Sequence, residues 1–258
     1  MDGDHELTRC VDLFRVRAVM IIVVTAFVPI PGHPRSEEEY ARLGQRLLEC
    51  DFPVLRMEGE LEACWLLQFL HGRGKDCYHA LGDNPQKNTL AYHAVQAQKT
   101  DLLHEAMLFM PKATVFVWID YGIFHVPGVT RQTLESFVLR ACNERVIAIP
   151  GCWDRQAVHD DAYPNWRFCG GVMVVPREYV QPLDQAMKRE YIRRLTDHNH
   201  VTWEVNVLAS VEQRYPELPI WWYKADHNAS LFTNYQATEA ADGHDAKVTH
   251  KIRATSLK

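Results

Sequence analysis

Five consecutive apolar residues, Val115-Phe116-Val117-Trp118-Ile119, run directly into Asp120, and Gly122 follows two positions on. A strand without polar alternation is buried on both faces, and such strands belong to parallel sheets covered by helices on each side. This segment therefore commits the chain to an α/β architecture with Val115–Ile119 at the centre of the sheet. In open sheets of that kind ligands bind beyond the carboxyl ends of the strands. Asp120 is then a carboxylate offered at the ligand edge, a group that suits Mg²⁺ or Mn²⁺ bridging phosphates. Gly122 lets backbone approach a ligand closely. The plainer reading, an Asp that caps the turn after its strand, stays open on these residues alone.

The rest of the chain alternates in the manner such a sheet requires. Met20 to Phe27 reads as a buried first strand, broken by Pro29, Pro31, Gly32 and Pro34. Ser36 followed by Glu37, Glu38 and Glu39 predicts a capped helix running to about Glu49. A strand over Phe52–Met57, a short helix over Glu60–Leu70 and helical stretches over Asn88–Phe109 come next, the last with Ala91, Val95, Leu102, Leu103 and Ala106 as its apolar face. Pro111 stops that pattern, and a helix over Thr133–Cys142 leads to a strand at Val146–Ile149. The second half is less regular: a strand ending at Val175 after Gly170-Gly171, helices over Val180–Arg194 and Thr202–Gln213 (Thr202 as cap), and a late strand over Pro219–Tyr223. Strands alternating with helices imply right-handed βαβ units and a mainly parallel sheet. Residues 1–17 and 239–258 are polar and read as an arm and a tail around one domain over residues 18–238.

Composition narrows the function classes. A chain of 258 residues can bury a large core. Its net charge of -5 gives no general basic field for nucleic acid. Arg15 and Arg17 before the apolar run Ala18–Ile30 imitate a signal peptide, but the run is rich in β-branched residues and too short to span a membrane. The seven cysteines are scattered without a CxxC spacing, which speaks against a disulfide framework or a zinc knuckle and for a reducing, cytoplasmic setting. No Gly-x-Ser-x-Gly, Walker loop or Gly-x-Gly-x-x-Gly occurs.

Four further segments can carry chemistry. Gln96 and Lys99 lie on the helix that enters the central strand, and Lys99 can reach a phosphate as a point charge, although a solvated helix lysine is commoner. In Trp166-Arg167-Phe168-Cys169-Gly170-Gly171, Trp166 can stack on a sugar face, Arg167 can donate to hydroxyls or phosphate, and the glycine pair either admits a ligand or makes a positive-φ turn. Glu204, just after Thr202 and before Asn206, can act as general base, bind hydroxyls or belong to a capping network. His227, in Ala225-Asp226-His227-Asn228, can complete a metal site as a neutral imidazole, against the background of thirteen histidines. His159 with Asp160 and Asp161 reads as a solvated decoy.

As an ordered set over roughly residues 20 to 235, these segments resemble the HtrL/YibB family of predicted bacterial glycosyltransferases, within the wider GT-A group. The resemblance is carried by Val-Val-Thr-Ala-Phe in the first strand, Gln96 with Lys99, Trp118 to Ile123, Cys169-Gly170-Gly171, Thr202 to Asn206, and Asp226-His227-Asn228 leading to Asn234-Tyr235. It implies a GT-A-like α/β domain, a mainly parallel Rossmann-like sheet flanked by helices with a mixed C-terminal acceptor part. It also implies a hexosyltransferase-like activity with a nucleotide-diphosphate-sugar donor, UDP-sugar by default, a glycan or small-molecule acceptor, and Mn²⁺ or Mg²⁺. The base and ribose would lie against Thr25 and Ala26, the diphosphate over Asp120 with Lys99 as a further charge, and the sugar against Gly170 and Gly171, with Gln96, Tyr121, Gly122, Trp166 and Arg167 also binding the donor. Gly122 replaces the second acid of the group's Asp-x-Asp, so the implied metal ligands are Asp120 and, late in the chain, His227. A non-catalytic sugar-binding protein and a nucleotidyltransferase are the alternatives.

Overall fold

The computed structural model describes residues 20–71, 87–155 and 163–238. Six strands, β1 (Ile21–Phe27), β2 (Val54–Glu58), β3 (Val115–Ile119), β4 (Ile147–Gly151), β5 (Val172–Pro176) and β6 (Ile220–Lys224), form one sheet in the order β2-β1-β3-β5-β4-β6. β1 pairs in parallel with β2 and β3, β4 pairs in parallel with β6, and β5 alone runs against its neighbours. The fold class is the expected one: an α/β domain whose sheet is mainly parallel and flanked by helices, with mixed pairing in its second part.

Successive side chains on a strand point to opposite faces, and here both faces are apolar, so two cores form. Ile22, Val24, Phe116, Trp118, Met173 and Val175 pack on one side against Leu102, Leu103 and Ala106 of α4 (Lys99–Phe109) and Leu183 and Met187 of α6 (Arg177–Asp197). Ile21, Val23, Val115, Val117, Val172 and Val174 pack on the other against Leu43 and Leu47 of α1 (Glu37–Leu48) and Leu134, Phe137 and Val138 of α5 (Arg131–Ala141). Each such side chain contributes about 1.5–3 kcal/mol when fully buried. The remaining helices are α2 (Trp65–His71), α3 (Leu90–Ala97), α7 (Glu204–Arg214) and α8 (Ser230–Thr233).

Differences from the sequence reading have local causes. The stretch over residues 88–109 is two helices: the Gln98 amide reaches back only three residues, to Val95 O at 3.3 Å, and its side chain is held by Trp65 N and Asp101. Residues 60–70 split into a 3₁₀ turn at Leu61–Ala63 and α2. α6 starts at Arg177 rather than Val180, directly after β5, where the Arg177 guanidinium donates to the carbonyls of Met107, in the last turn of α4, and of Met110 and Ala113 just beyond it. α7 starts at Glu204 with Trp203 at the cap position, and Thr202 accepts instead from Asn206 Nδ2 at 2.8 Å. The polar arm over residues 1–17, the tail over 239–258 and the His159-Asp160-Asp161 cluster lie outside the described residues. Among the described residues no helix is long and apolar enough to cross a membrane.

The topology dictates where chemistry can gather. Because five strands share one direction and β5 opposes them, one edge of the sheet collects the ends of β1, β3, β4 and β6 and the start of β5. That edge brings together Ala26, Asp120, Cys152, Cys169-Gly170-Gly171 and Asp226-His227.

Candidate active site

Lys99 is the first residue of α4, and its ammonium is aimed under the ligand edge of the sheet by the tight turn at Gln98. It is not solvated. Its three N–H donors find Glu204 Oε1 at 2.8 Å, Gly170 O at 2.9 Å and Asp120 Oδ1 at 3.1 Å. The side chain is 6% exposed. Burial pulls the ammonium's pKa down, but Asp120 and Glu204 outweigh that and leave it raised. The expectation of a lysine free to reach a phosphate is therefore corrected: Lys99 has no proton to spare, and its work is to tie β3, the glycine pair and α7 together.

Asp120 ends β3, with its amide bonded to Gly171 O at 3.0 Å. Trp118 lies two residues earlier on the same strand face, and its indole N–H donates to Asp120 Oδ1 at 2.7 Å. Oδ1 is thus taken by Trp118 and Lys99, while Oδ2 is turned towards Gly171, where an added Cβ would stand 3.5 Å away. With its side chain 35% exposed, Asp120 is the half-open member of an otherwise buried trio.

Gly170, the first of the glycine pair, is explained by space. Neither Gly170 nor Gly171 has positive φ. A Cβ on Gly170 would fall 2.0 Å from Glu204 Oε1, so the lysine–glutamate contact exists only because that position has no side chain. Gly122 is similarly crowded, by the Tyr40 ring 2.8 Å from where its Cβ would lie.

Two adjoining hollows share this floor. A cleft of about 730 Å³ is bounded by Asp120, Gly170, Gly171, Trp166, Glu204 and His227, with Gln96 and Lys99 beneath. A recess of about 110 Å³ opens beside it between Ala26, Phe27, Tyr40, Tyr92, Tyr121 and Gly122. Its walls are stacked rings: Phe27 lies 5.7 Å from Tyr121 and 5.1 Å from Tyr40, His33 lies 6.2 Å from Tyr92, and the Arg35 guanidinium sits 5.1 Å from the Tyr40 centroid. Burial raises the Tyr40 and Tyr92 phenols and lowers the His33 imidazole, so these rings are neutral near pH 7, while Arg35 and Glu37 bring charge to the recess.

Two expected ligand contacts are elsewhere. Thr25 faces the interior, fully buried, and its hydroxyl has no hydrogen-bond partner among the described residues; Ala26, its neighbour, lines the recess. Arg167 is engaged by Glu212 through two bonds, at 3.1 and 2.6 Å, and lies 4.4 Å over the Trp222 ring, so it braces β6 and α7 instead of facing the cleft. Trp166 does face the cleft, edge-on to the His227 ring at 4.3 Å. The His227 imidazole has Nδ1 3.6 Å from Cys152 Sγ and 3.7 Å from Asp226 Oδ1; burial lowers its pKa.

Sequence reasoning missed Trp118, Tyr40, Tyr92, Arg35 and Cys152. Trp118 carried a signal, since its two-residue spacing from Asp120 puts both on one strand face. The others reach the edge from distant segments and carried none.

The molecule was also compared with known proteins. No family model matches the chain, and no curated protein matches it in sequence. Among solved structures it is similar to a glycosyltransferase involved in the glycosylation of the major capsid of PBCV-1, at 15% identity and a TM-score of 0.45, over 80% of this chain and 81% of that one. It is similar as well to mouse xyloside xylosyltransferase 1 in its apo form, at 11% identity and a TM-score of 0.39, over 81% of this chain and 86% of that one.

Proposed function

We propose that the chain is a glycosyltransferase of the HtrL/YibB kind, moving a hexose-like sugar from a nucleotide-diphosphate sugar, UDP-sugar by default, to a hydroxyl of a glycan or small acceptor. The observation that carries this reading is the pairing of the two hollows. An aromatic recess of neutral rings suits a nucleobase, and it adjoins a larger polar cleft floored by Asp120, Lys99 and Glu204. The diphosphate then lies between them, over Asp120, and the sugar lies over Gly170-Gly171 with Trp166 as a side wall.

Asp120 fits a hard divalent cation in one particular manner. Mg²⁺ is commonly held by one or two carboxylates plus substrate phosphates, not by an all-protein cage. Asp120 Oδ2 is one such oxygen, and its Oδ1 is fixed by Trp118 and Lys99 so that Oδ2 keeps its aim. Mn²⁺ or Mg²⁺ bound there supplies charge that stabilises the leaving diphosphate. The protein's own contribution is positioning. Lys99 prevents Asp120 and Glu204 from repelling each other across the Gly170 carbonyl. Glu204 gives Oε1 to Lys99, and its remaining oxygen is suited to a sugar hydroxyl. We assign it a binding role ahead of a base. A reducing, cytoplasmic setting agrees with the free thiols of Cys50, Cys64 and Cys142.

Release of nucleoside diphosphate from a panel of sugar nucleotides, with and without Mn²⁺, tests the reading. Turnover with at least one donor is expected, reduced at least about 100-fold in Asp120→Ala, on the scale of losing a main electrostatic contact to the transition state. If no donor is cleaved and none raises the melting temperature, the chain is not a glycosyltransferase. Binding without cleavage would favour a sugar-binding protein, a reading consistent with Lys99 neutralising the single acid.

A further inference from the structure

At the far wall of the cleft, the loops after β4 and β6 and the residue before Gly170 bring two thiols, an imidazole and a carboxylate into one cluster. Cys152 Sγ is 3.6 Å from Cys169 Sγ, 3.6 Å from His227 Nδ1 and 3.8 Å from Asp226 Oδ1, and His227 Nδ1 is 3.7 Å from Asp226 Oδ1. The two sulfurs and the imidazole nitrogen all lie within 4.8 Å of one another. None of these contacts is a good hydrogen bond, and the thiols are not bonded to each other.

The spacings match a different object. Zinc takes sulfur at about 2.3 Å and imidazole nitrogen or carboxylate oxygen at about 2.0–2.2 Å in a tetrahedron, which sets ligand atoms roughly 3.8 Å apart for two sulfurs and about 3.6 Å for sulfur with nitrogen or oxygen. The two edges from Cys152, to Cys169 Sγ and to His227 Nδ1, agree with those figures to within about 0.2 Å, and all three ligand atoms lie within 4.8 Å of one another. We infer that Cys152, Cys169 and His227 form a binding site for a zinc-class cation, with Asp226 beside Cys152 and His227 and the fourth position open, separate from the oxygen site at Asp120.

Ligand chemistry supports the separation. Thiolates and imidazole select zinc, whereas Mg²⁺ and Mn²⁺ prefer carboxylate and phosphate oxygens. His227, expected beside Asp120, is instead turned to the sulfurs. Binding displaces the two thiol protons to solvent and leaves the imidazole neutral, so the site carries two thiolates around a 2+ ion, with the Asp226 carboxylate beside it. It clamps the sheet where β5, β4 and β6 lie side by side. Cys169 directly precedes Gly170, and His227 meets Trp166, so the clamp fixes both the glycine pair and the sugar-facing wall. The inference stands independently of the glycosyltransferase reading.

Zinc content decides it. The full chain, kept reduced, is saturated with zinc sulfate, passed into metal-free buffer and measured by mass spectrometry of the metal. One zinc per chain is expected, and excess Mn²⁺ leaves it in place. Asp120→Ala retains the zinc, which separates this site from the proposed catalytic one, and C152S/C169S loses it. Cobalt replacement on the unaltered chain gives the second readout: thiolate-to-cobalt charge-transfer absorption is expected, and the wild-type spectrum stands even where the double variant fails to fold. Zinc well below one per chain, retention by a folded C152S/C169S, absence of the charge-transfer band, or a Cys152–Cys169 disulfide that persists in reductant each overturns the proposal.

Discussion

Lys99 is the residue on which the site depends. Its ammonium is buried, and its partners, Asp120, Glu204 and the Gly170 carbonyl, come from three segments far apart in the chain. Removing one member of a buried ionic set leaves an uncompensated charge and costs roughly 3–5 kcal/mol. Lys99→Met is therefore expected to lose about that much in urea unfolding, since it leaves two carboxylates facing each other without a cation. Adding Glu204→Gln should recover part of the loss, because it removes one of the two stranded charges. The pH dependence has a definite sign. A folded pKa raised above the ordinary 10.5 means that the lysine's contribution is whole below 10.5 and is lost as pH climbs through the folded value. The gap between wild type and Lys99→Met should thus be flat from about pH 6 to 9. A loss under about 1 kcal/mol would mean that the trio is a surface-like ion pair of little worth. Nothing in the sequence around Lys99 announced this role, since a helical lysine is ordinarily solvated.

At the scale of elements, the sheet was legible and its edge only partly so. Continuous apolar runs identified β1, β3 and the end of β5 because burial on both faces leaves a one-dimensional signature. One helix was legible from its cap, Ser36, which accepts from Glu39 N at 3.2 Å, whereas the cap expected at Thr202 fell instead on Trp203. What one dimension cannot carry is the reversal of β5, which brings Cys169-Gly170-Gly171 to the same edge as Asp120. The glycine pair was noticed, but the reason for Gly170 was the approach of Glu204 from far along the chain, and no local pattern encodes that. The same holds for Cys152, whose companions stand 17 and 75 residues away. Gly170→Ala tests the element-level account. Its Cβ would fall 2.0 Å from Glu204 Oε1, against both the start of β5 and the first turn of α7, so it is expected to cost about 1–3 kcal/mol as an overpacked site. It should also weaken donor turnover far more than Gly171→Ala, whose added methyl meets Asp120 Oδ2 at an ordinary 3.5 Å. Equal behaviour of the two variants in stability and turnover would contradict the reason given for Gly170.

For the molecule as a whole, the two cores carry stability, and their weak point in acid is a histidine. His93 lies on α3, buried and edge-on to Trp203 at 5.4 Å, on the helix layer that also presents Tyr92 and Lys99 to the cleft. Burial lowers its pKa from 6.5 to about 4. The unfolded chain therefore takes up a proton between those values that the folded one refuses. Stability from this group is complete above pH 6.5 and drains away as pH falls towards 4, by about 3 kcal/mol at roughly 1.4 kcal/mol per pKa unit. Because the layer holding His93 also holds the recess wall, acid should loosen donor binding and global stability together. Urea midpoints of the wild type are expected to fall between pH 7 and pH 4.5. His93→Gln, which cannot charge, should lose stability at pH 7 through packing yet show a shallower decline below pH 6.5. His33 and His227 also have lowered pKa values but sit in more open surroundings, so they add less to the slope. Parallel pH profiles for wild type and His93→Gln would move the acid sensitivity elsewhere in the sheet's polar edge and would break the link between this histidine and the recess.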